Sequence, residues 1–129
     1  WMLECAARTI GGLCSRMLAF SGGMSLEALI LRHALGRDIQ TAQTISNACG
    51  VLMLPVPKDG TLHTIAGWDT VREISGVEAA VQSLPNGTAV RTLPHDARYL
   101  GFVLVREKTP AAVETTLREA WTQLQVEID

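Results

Sequence analysis

The first twelve residues hold the side chains whose types and spacing best fit a chemical role. Glu4 ends a short apolar run, Arg8 follows four residues later, and Gly11 and Gly12 come next. A carboxylate at a strand end suits a hard divalent cation, which prefers oxygen ligands. The planar guanidinium of an arginine can bind phosphate oxygens, and glycine amides can donate to a developing oxyanion. These types favour phosphoryl-transfer or acyl-phosphate chemistry, although an ion pair between Glu4 and Arg8 beside a turn explains the same spacing.

Other reactive side chains have weaker contexts. Cys14 lies near Arg16, as an activated thiol would, but a buried structural cysteine is the favoured interpretation of that position. Ser15 and Ser21 lack the G-x-S-x-G pattern of a hydrolase nucleophile. The histidines lack zinc-type spacing, and no G-x-x-x-x-G-K-[ST] phosphate loop is present. The three cysteines are an odd number, which favours reduced thiols in a cytoplasmic protein over a disulfide framework.

The composition predicts one folded domain, or a piece of a larger one. The chain has 129 residues, of which 47% are hydrophobic and 19% are charged, which excludes intrinsic disorder. A net charge of −2 gives no basic field for nucleic acid or anionic lipid. No apolar run is long enough to cross a membrane. The chain begins with Trp1 and not with Met, so we expect a piece of a longer protein.

Hydrophobic periodicity and turn residues predict an α+β fold, in which an antiparallel sheet carries helices on one face. Ser25 is the expected N-cap of the first clear helix, and Asp59 and Gly60 are expected to close a hairpin. The predicted helices cover residues 13–20, 25–35, 68–74 and 110–126. The predicted strands cover residues 1–5, 49–54, 61–66, 77–84 and 99–105. The last helix carries an apolar stripe that we expect in the core: Val113, Leu117, Ala120, Trp121 and Leu124.

Two segments near the start carry a family resemblance. The sequence LECAARTIGGLCSR at residues 3–16, followed by MSLEALILRHALG at residues 24–36, resembles the end of the ATP-grasp catalytic domain in L-amino acid ligase-like carboxylate–amine ligases. The second half resembles the C-terminal subdomain of that branch through short motifs at residues 59–60, 67–69, 77–78, 85–88, 98–104 and 109–110. The resemblance implies two domains, a catalytic segment over 1–47 and a C-terminal α+β subdomain over 48–129.

The resemblance also implies roles for the first residues. Glu4 matches a magnesium-ligating glutamate, and Arg8 matches the arginine that stabilises the transferred phosphate. Gly11 and Gly12 match the backbone that approaches the acyl-phosphate and the amino acid. Many ATP-grasp enzymes have a further metal ligand, asparagine, where this chain has Ala6.

The implied reaction is ATP-dependent ligation with magnesium, in which an amino acid or another carboxylate is activated and joined to an amine. The fragment alone is expected to be inactive and to self-associate, for example through an unpaired strand at residues 1–3. No nucleic-acid or membrane partner is expected. Two alternatives stay open: a non-enzymatic interaction or dimerisation module, and a bicarbonate-activating, carboxylase-like ATP-grasp enzyme.

Overall fold

The computed structural model describes Cys5, residues 9–45 and residues 47–129. The chain divides into two compact units, Trp1–Ser46 and Asn47–Asp129. The predicted strand over residues 1–5 lies outside the described residues except for Cys5, as do Glu4, Ala6 and Arg8. Within the described residues no helix is long and apolar enough to span a membrane.

The first unit is built from short elements and one helix. A 3-10 helix, Cys14–Met17, leads into β1 (Ala19–Phe20), which pairs antiparallel with β2 (Met24–Ser25). Helix α1 follows as Leu26–Ala34, and the Ser25 hydroxyl accepts a hydrogen bond from the Ala28 N–H at 3.2 Å. The structure therefore has α1 and its cap as predicted. The predicted helix over residues 13–20 is wrong, because the backbone becomes extended at Leu18 and enters β1.

The second unit contains two three-stranded antiparallel sheets. The first sheet has the order β3-β7-β5, formed by Ala48–Leu54, Gly101–Glu107 and Val77–Gln82. The second sheet has the order β6-β4-β8, formed by Ala89–Val90, Gly60–Ala66 and Gln125–Ile128. Helix α2 (Trp68–Glu73) follows β4, and helix α3 (Pro110–Gln123) follows β7. The predicted α+β class with small antiparallel strands and a C-terminal helix is confirmed, but there are two sheets where we expected one.

The predicted hairpin between β3 and β4 is wrong, because these strands belong to different sheets. Pro55 and Pro57 separate them, and proline has no N–H to donate to a ladder. Asp59 is instead held by residue 92: one oxygen of its carboxylate accepts hydrogen bonds from the Thr92 N–H at 2.7 Å and from the Thr92 hydroxyl at 2.8 Å. The turn thus fixes the start of β4 beside the end of β6.

One hydrophobic core joins both sheets and two helices of the second unit. Leu54, Val103 and Val105 come from the first sheet, and Leu62 and Val90 come from the second. Helix α2 adds Trp68 and Val71, and helix α3 adds Val113 and Ala120. The indole N–H of Trp68 donates to the Gln82 side chain at 3.2 Å, so this large aromatic is buried without losing its polar partner.

The end of the chain differs from the sequence prediction in two ways. Helix α3 stops at Gln123, and residues predicted as its last turn form β8, which pairs with β4. Trp121, predicted as a core residue, is 45% exposed. At 100° per residue Trp121 lies about 80° around the helix from Val113, whereas Ala120 lies within about 20° of it. Trp121 therefore occupies the flank of the apolar stripe rather than its centre.

Candidate functional site

The predicted site residues divide between the part of the chain that the structure describes and the part that it does not. Glu4 and Arg8 lie outside it, so their proposed roles stay predictions. Gly11 and Gly12 lie in a turn directly before the 3-10 helix. The described part of the candidate site therefore consists of this turn and the side chains next to it.

The glycine turn has two consecutive residues in the left-handed backbone region. Gly12 has φ 65° and Leu13 has φ 60° with ψ 8°. Left-handed backbone costs about 1–2 kcal/mol for a residue with a Cβ atom, and such strain concentrates at ligand-binding sites. Glycine adopts this backbone region readily, which fits Gly12, but nothing in the sequence indicated that Leu13 shares it.

The turn presents amide donors. The N–H of Cys14 bonds to the Gly11 carbonyl at 3.2 Å, and that of Arg16 bonds to the Leu13 carbonyl at 3.0 Å. Within the described part of the chain, the N–H groups of Gly12 and Leu13 have no acceptor. Two successive donors of this kind can bind an oxyanion or a phosphate oxygen.

Ser15 and Glu27 connect the turn to helix α1. Hydrogen bonds from its own backbone N–H and from the Ser15 hydroxyl hold the pKa of Glu27 below its usual range, and the positive charge of Arg16 adds to this effect. Glu27 is in the first turn of α1, where the helix dipole favours a negative charge. The sequence analysis did not predict this effect of Ser15 on the pKa of Glu27.

The described residues do not by themselves make a magnesium site. Over residues 9–45 and 47–129, together with Cys5, no group of three or more His, Cys, Asp or Glu could hold a metal ion.

The second unit has a polar cluster that the sequence analysis did not identify. Arg98 donates to the Asp96 carboxylate at 2.7 Å and to the Ala89 carbonyl at 2.9 Å. Hydrogen bonds from Arg98 hold the pKa of Asp96 below its usual range. Together with Asp59 and Thr92, these contacts fix the segment between β6 and β7. The cluster is satisfied internally, so its role is structural.

Comparisons with known proteins agree with the sequence resemblance. The family model described as L-amino acid ligase C-terminal domain 2 matches residues 52–129, more than half of the chain. Among solved structures, an L-amino acid ligase from Bacillus licheniformis matches with 23% identity and a TM-score of 0.68, over 83% of this chain and 27% of that one. A phosphoribosylglycinamide synthetase from Anaerococcus prevotii matches with 12% identity and a TM-score of 0.69, over 91% of this chain and 30% of that one. A search of curated proteins gave no match.

These matches confirm the predicted resemblance to the C-terminal part of an ATP-grasp ligase. At their sequence identities the two solved structures show the fold alone, and the family model covers the second unit. This chain spans less than a third of either solved chain. The division into domains 1–47 and 48–129, and the roles of Glu4, Arg8, Gly11 and Gly12, stay predictions.

Proposed function

The chain belongs to the L-amino acid ligase C-terminal domain 2 family, and from this membership we propose that it forms the C-terminal part of an ADP-forming carboxylate–amine ligase. In the proposed reaction, the γ-phosphoryl group of ATP passes to a carboxylate oxygen, which gives an acyl-phosphate and ADP. The amine nitrogen then attacks the acyl carbon, the carbon–oxygen bond to phosphate breaks, and the amine loses a proton. The family match is the observation that carries this proposal.

Within this proposal, the residues of the first unit bind and orient the reacting groups. Glu4 would hold magnesium together with donors from the rest of the enzyme, and Arg8 would bind the transferred phosphate. The turn at Gly11 and Gly12 would donate backbone N–H groups to the acyl-phosphate. The N–H groups of Gly12 and Leu13, which have no acceptor in the described part of the chain, support that role. Phosphoryl transfer needs mainly positioning and neutralisation of charge, which these residue types can supply.

We propose that the isolated chain is inactive. ATP-grasp enzymes are expected to bind nucleotide with lysines upstream of Glu4, whereas the lysines of this chain, Lys58 and Lys108, both lie in the second unit. The substrate would be an amino acid or another carboxylate, with much of its pocket formed by residues outside this chain. A cytoplasmic location agrees with Cys5, Cys14 and Cys49, which are all free thiols.

The test uses the complete ligase that contains this chain. Glu4→Gln and Arg8→Lys should each lower amino acid-dependent ADP release by about 100-fold or more, because each removes a contact to developing charge. Glu73→Gln and Arg37→Lys make the same chemical changes at exposed positions and should leave the rate unchanged. Full activity in the first pair, with circular dichroism showing all four variants folded, would refute the assigned roles.

A second measurement separates amine ligation from bicarbonate activation. ADP release that requires both an amino acid and an amine acceptor supports the proposed reaction. ADP release with bicarbonate alone would favour the carboxylase-like alternative. No ADP release under either condition, from a folded enzyme that binds ATP, would favour the non-enzymatic module.

A further inference from the structure

The long edge strand β3 lacks the features that normally protect a sheet edge. Its seven residues, Ala48–Leu54, contain no charged side chain and no proline. It pairs with β7 on one side, and within the described part of the chain no strand pairs with its other side. A strand edge of this length that is uncharged and unpaired is a site for pairing with another strand.

The opposite edge of the same sheet, β5, is protected in several ways. Glu78 is charged and forms an ion pair with Arg106. The register of β5 shifts between Val77 and Ala79, and such bulges disrupt pairing. The Arg72 guanidinium also donates to the Ala80 carbonyl of β5 at 3.1 Å. Of the two edges of this sheet, β3 is therefore the one that lacks these protections.

A largely apolar groove of about 930 Å³ runs between β3 and helix α3. Ala48 and Leu52 line its strand side, and Leu117 and Trp121 line its helix side. Gly50 lets α3 approach β3, because a Cβ atom there would lie 2.7 Å from Val113 Cγ1 and 3.0 Å from Leu117 Cδ1. The groove and the unpaired strand edge form one continuous surface, which we call the β3–α3 surface.

The β3–α3 surface carries one acidic and one basic side chain, so its charges are complementary to those of a second copy in an antiparallel arrangement. Glu114 and Arg118 both line the groove, and both are largely exposed although they form an ion pair along the helix at 2.6 Å. They directly follow the two α3 residues that lie over Gly50, near the middle of β3. A two-fold axis perpendicular to the sheet, beside the middle of β3 at its free edge, would bring Glu114 of one copy towards Arg118 of the other, twice in each dimer.

We propose that the β3–α3 surface binds a second copy of this chain. Antiparallel pairing of the two β3 strands would join the sheets into one of six strands. The two α3 helices would then lie antiparallel on the same face, with the Trp121 side chains covered and the charged pairs exchanged between copies. This surface is separate from the strand at residues 1–3 for which self-association was predicted from the sequence.

The proposal predicts a specific pattern of charge-reversal results in the 129-residue chain at low salt, measured by analytical ultracentrifugation. The unaltered chain should dimerise. Glu114→Arg and Arg118→Glu should each raise the dissociation constant about tenfold or more, because each replaces two attractive contacts with two repulsive ones. An equimolar mixture of the two variants should dimerise again, since each supplies the charge that the other needs. Glu119→Arg makes the same charge change on α3 outside the groove and should dimerise normally.

Each alternative result would overturn the proposal. A monomeric unaltered chain at all concentrations would exclude the dimer. Normal dimerisation of both single variants would place self-association elsewhere, for example at residues 1–3. Failure of the mixture to dimerise would refute the two-fold arrangement. Circular dichroism of each variant should match that of the unaltered chain, because all three altered side chains are exposed.

Discussion

Replacing Gly67 by alanine tests the close approach between the start of α2 and the end of α3. Gly67 has φ 96° and is the N-cap of α2. A Cβ atom at this position would lie 2.0 Å from the carbonyl oxygen of Gln123 and 2.9 Å from its carbonyl carbon. Both atoms belong to the backbone, so no side-chain rotation can relieve the overlap. The backbone of α2 or of residue 123 would have to move.

The expected cost has two parts. Placing alanine at a positive φ costs about 1–2 kcal/mol. The overlap with Gln123 adds about 1–3 kcal/mol, as overpacking of a well-filled core does. Gly87→Ala isolates the first part, because Gly87 has φ 86° and no atom lies within 4 Å of the place that a Cβ atom would take there. Both substitutions reduce the entropy of the unfolded chain equally, so this contribution cancels in the comparison.

Urea denaturation followed by far-ultraviolet circular dichroism measures the difference. Gly67→Ala should lower the free energy of unfolding by about 1–3 kcal/mol more than Gly87→Ala does. This is a large share of the total for a domain of ordinary stability. Equal losses for the two variants would refute the packing of α2 against the end of α3, and with it the position of β8.

Two further substitutions test the core and the turn before β4. Leu62→Ala should destabilise the second unit by about 2–5 kcal/mol, because Leu62 is fully buried. Leu31→Ala, at a side chain that is 63% exposed, should have little effect. Similar losses of stability for the two variants in thermal unfolding would contradict the assignment of Leu62 to the core. Asp59→Asn should destabilise the protein at neutral pH, because hydrogen bonds from the Thr92 N–H and hydroxyl hold the pKa of Asp59 below its usual range. A carboxyl whose pKa is lower in the folded than in the unfolded protein stabilises the fold at a pH above its unfolded-state pKa, and this contribution is lost as the pH falls through its folded-state pKa. The difference in unfolding free energy between variant and parent should therefore shrink in acid. A difference that is constant with pH would refute the charged hydrogen bond.

The sequence predicted well the helices and strands whose signals lie in a few neighbouring residues. The N-cap at Ser25 acts within one helical turn, and α1 begins directly after this residue. Helix α3 begins at Pro110, the first residue of the helix predicted over 110–126. The strand predicted over residues 99–105, which include β-branched and aromatic residues, overlaps β7. Local propensity and capping therefore account for most elements of the second unit.

Pairing between distant residues was not predictable in the same way. Asp59 and Gly60 are typical of a hairpin, but the hydrogen bonds from Thr92, 33 positions away, direct β4 into a different sheet. The end of α3 was predicted too late because β8 pairs with β4, a contact that no local pattern reveals. In the first unit, the link from Ser15 to Glu27 and the left-handed backbone at Leu13 also depend on the folded chain.

The position of Trp121 connects the fold to the proposed dimer. An apolar stripe on a helix predicts which side of the helix faces a core, but residues at the edge of the stripe can lie outside that core. Val113 and Ala120 are buried at the centre of the stripe on α3, while Trp121 at its flank lines the groove beside β3. A tryptophan retained at 45% exposure beside an unprotected strand edge gains further apolar contacts only if another surface covers it. Glu114 and Arg118 carry opposite charges along the groove. In the proposed dimer these charges would complement each other between the two copies, which supports a second copy of the chain as that surface.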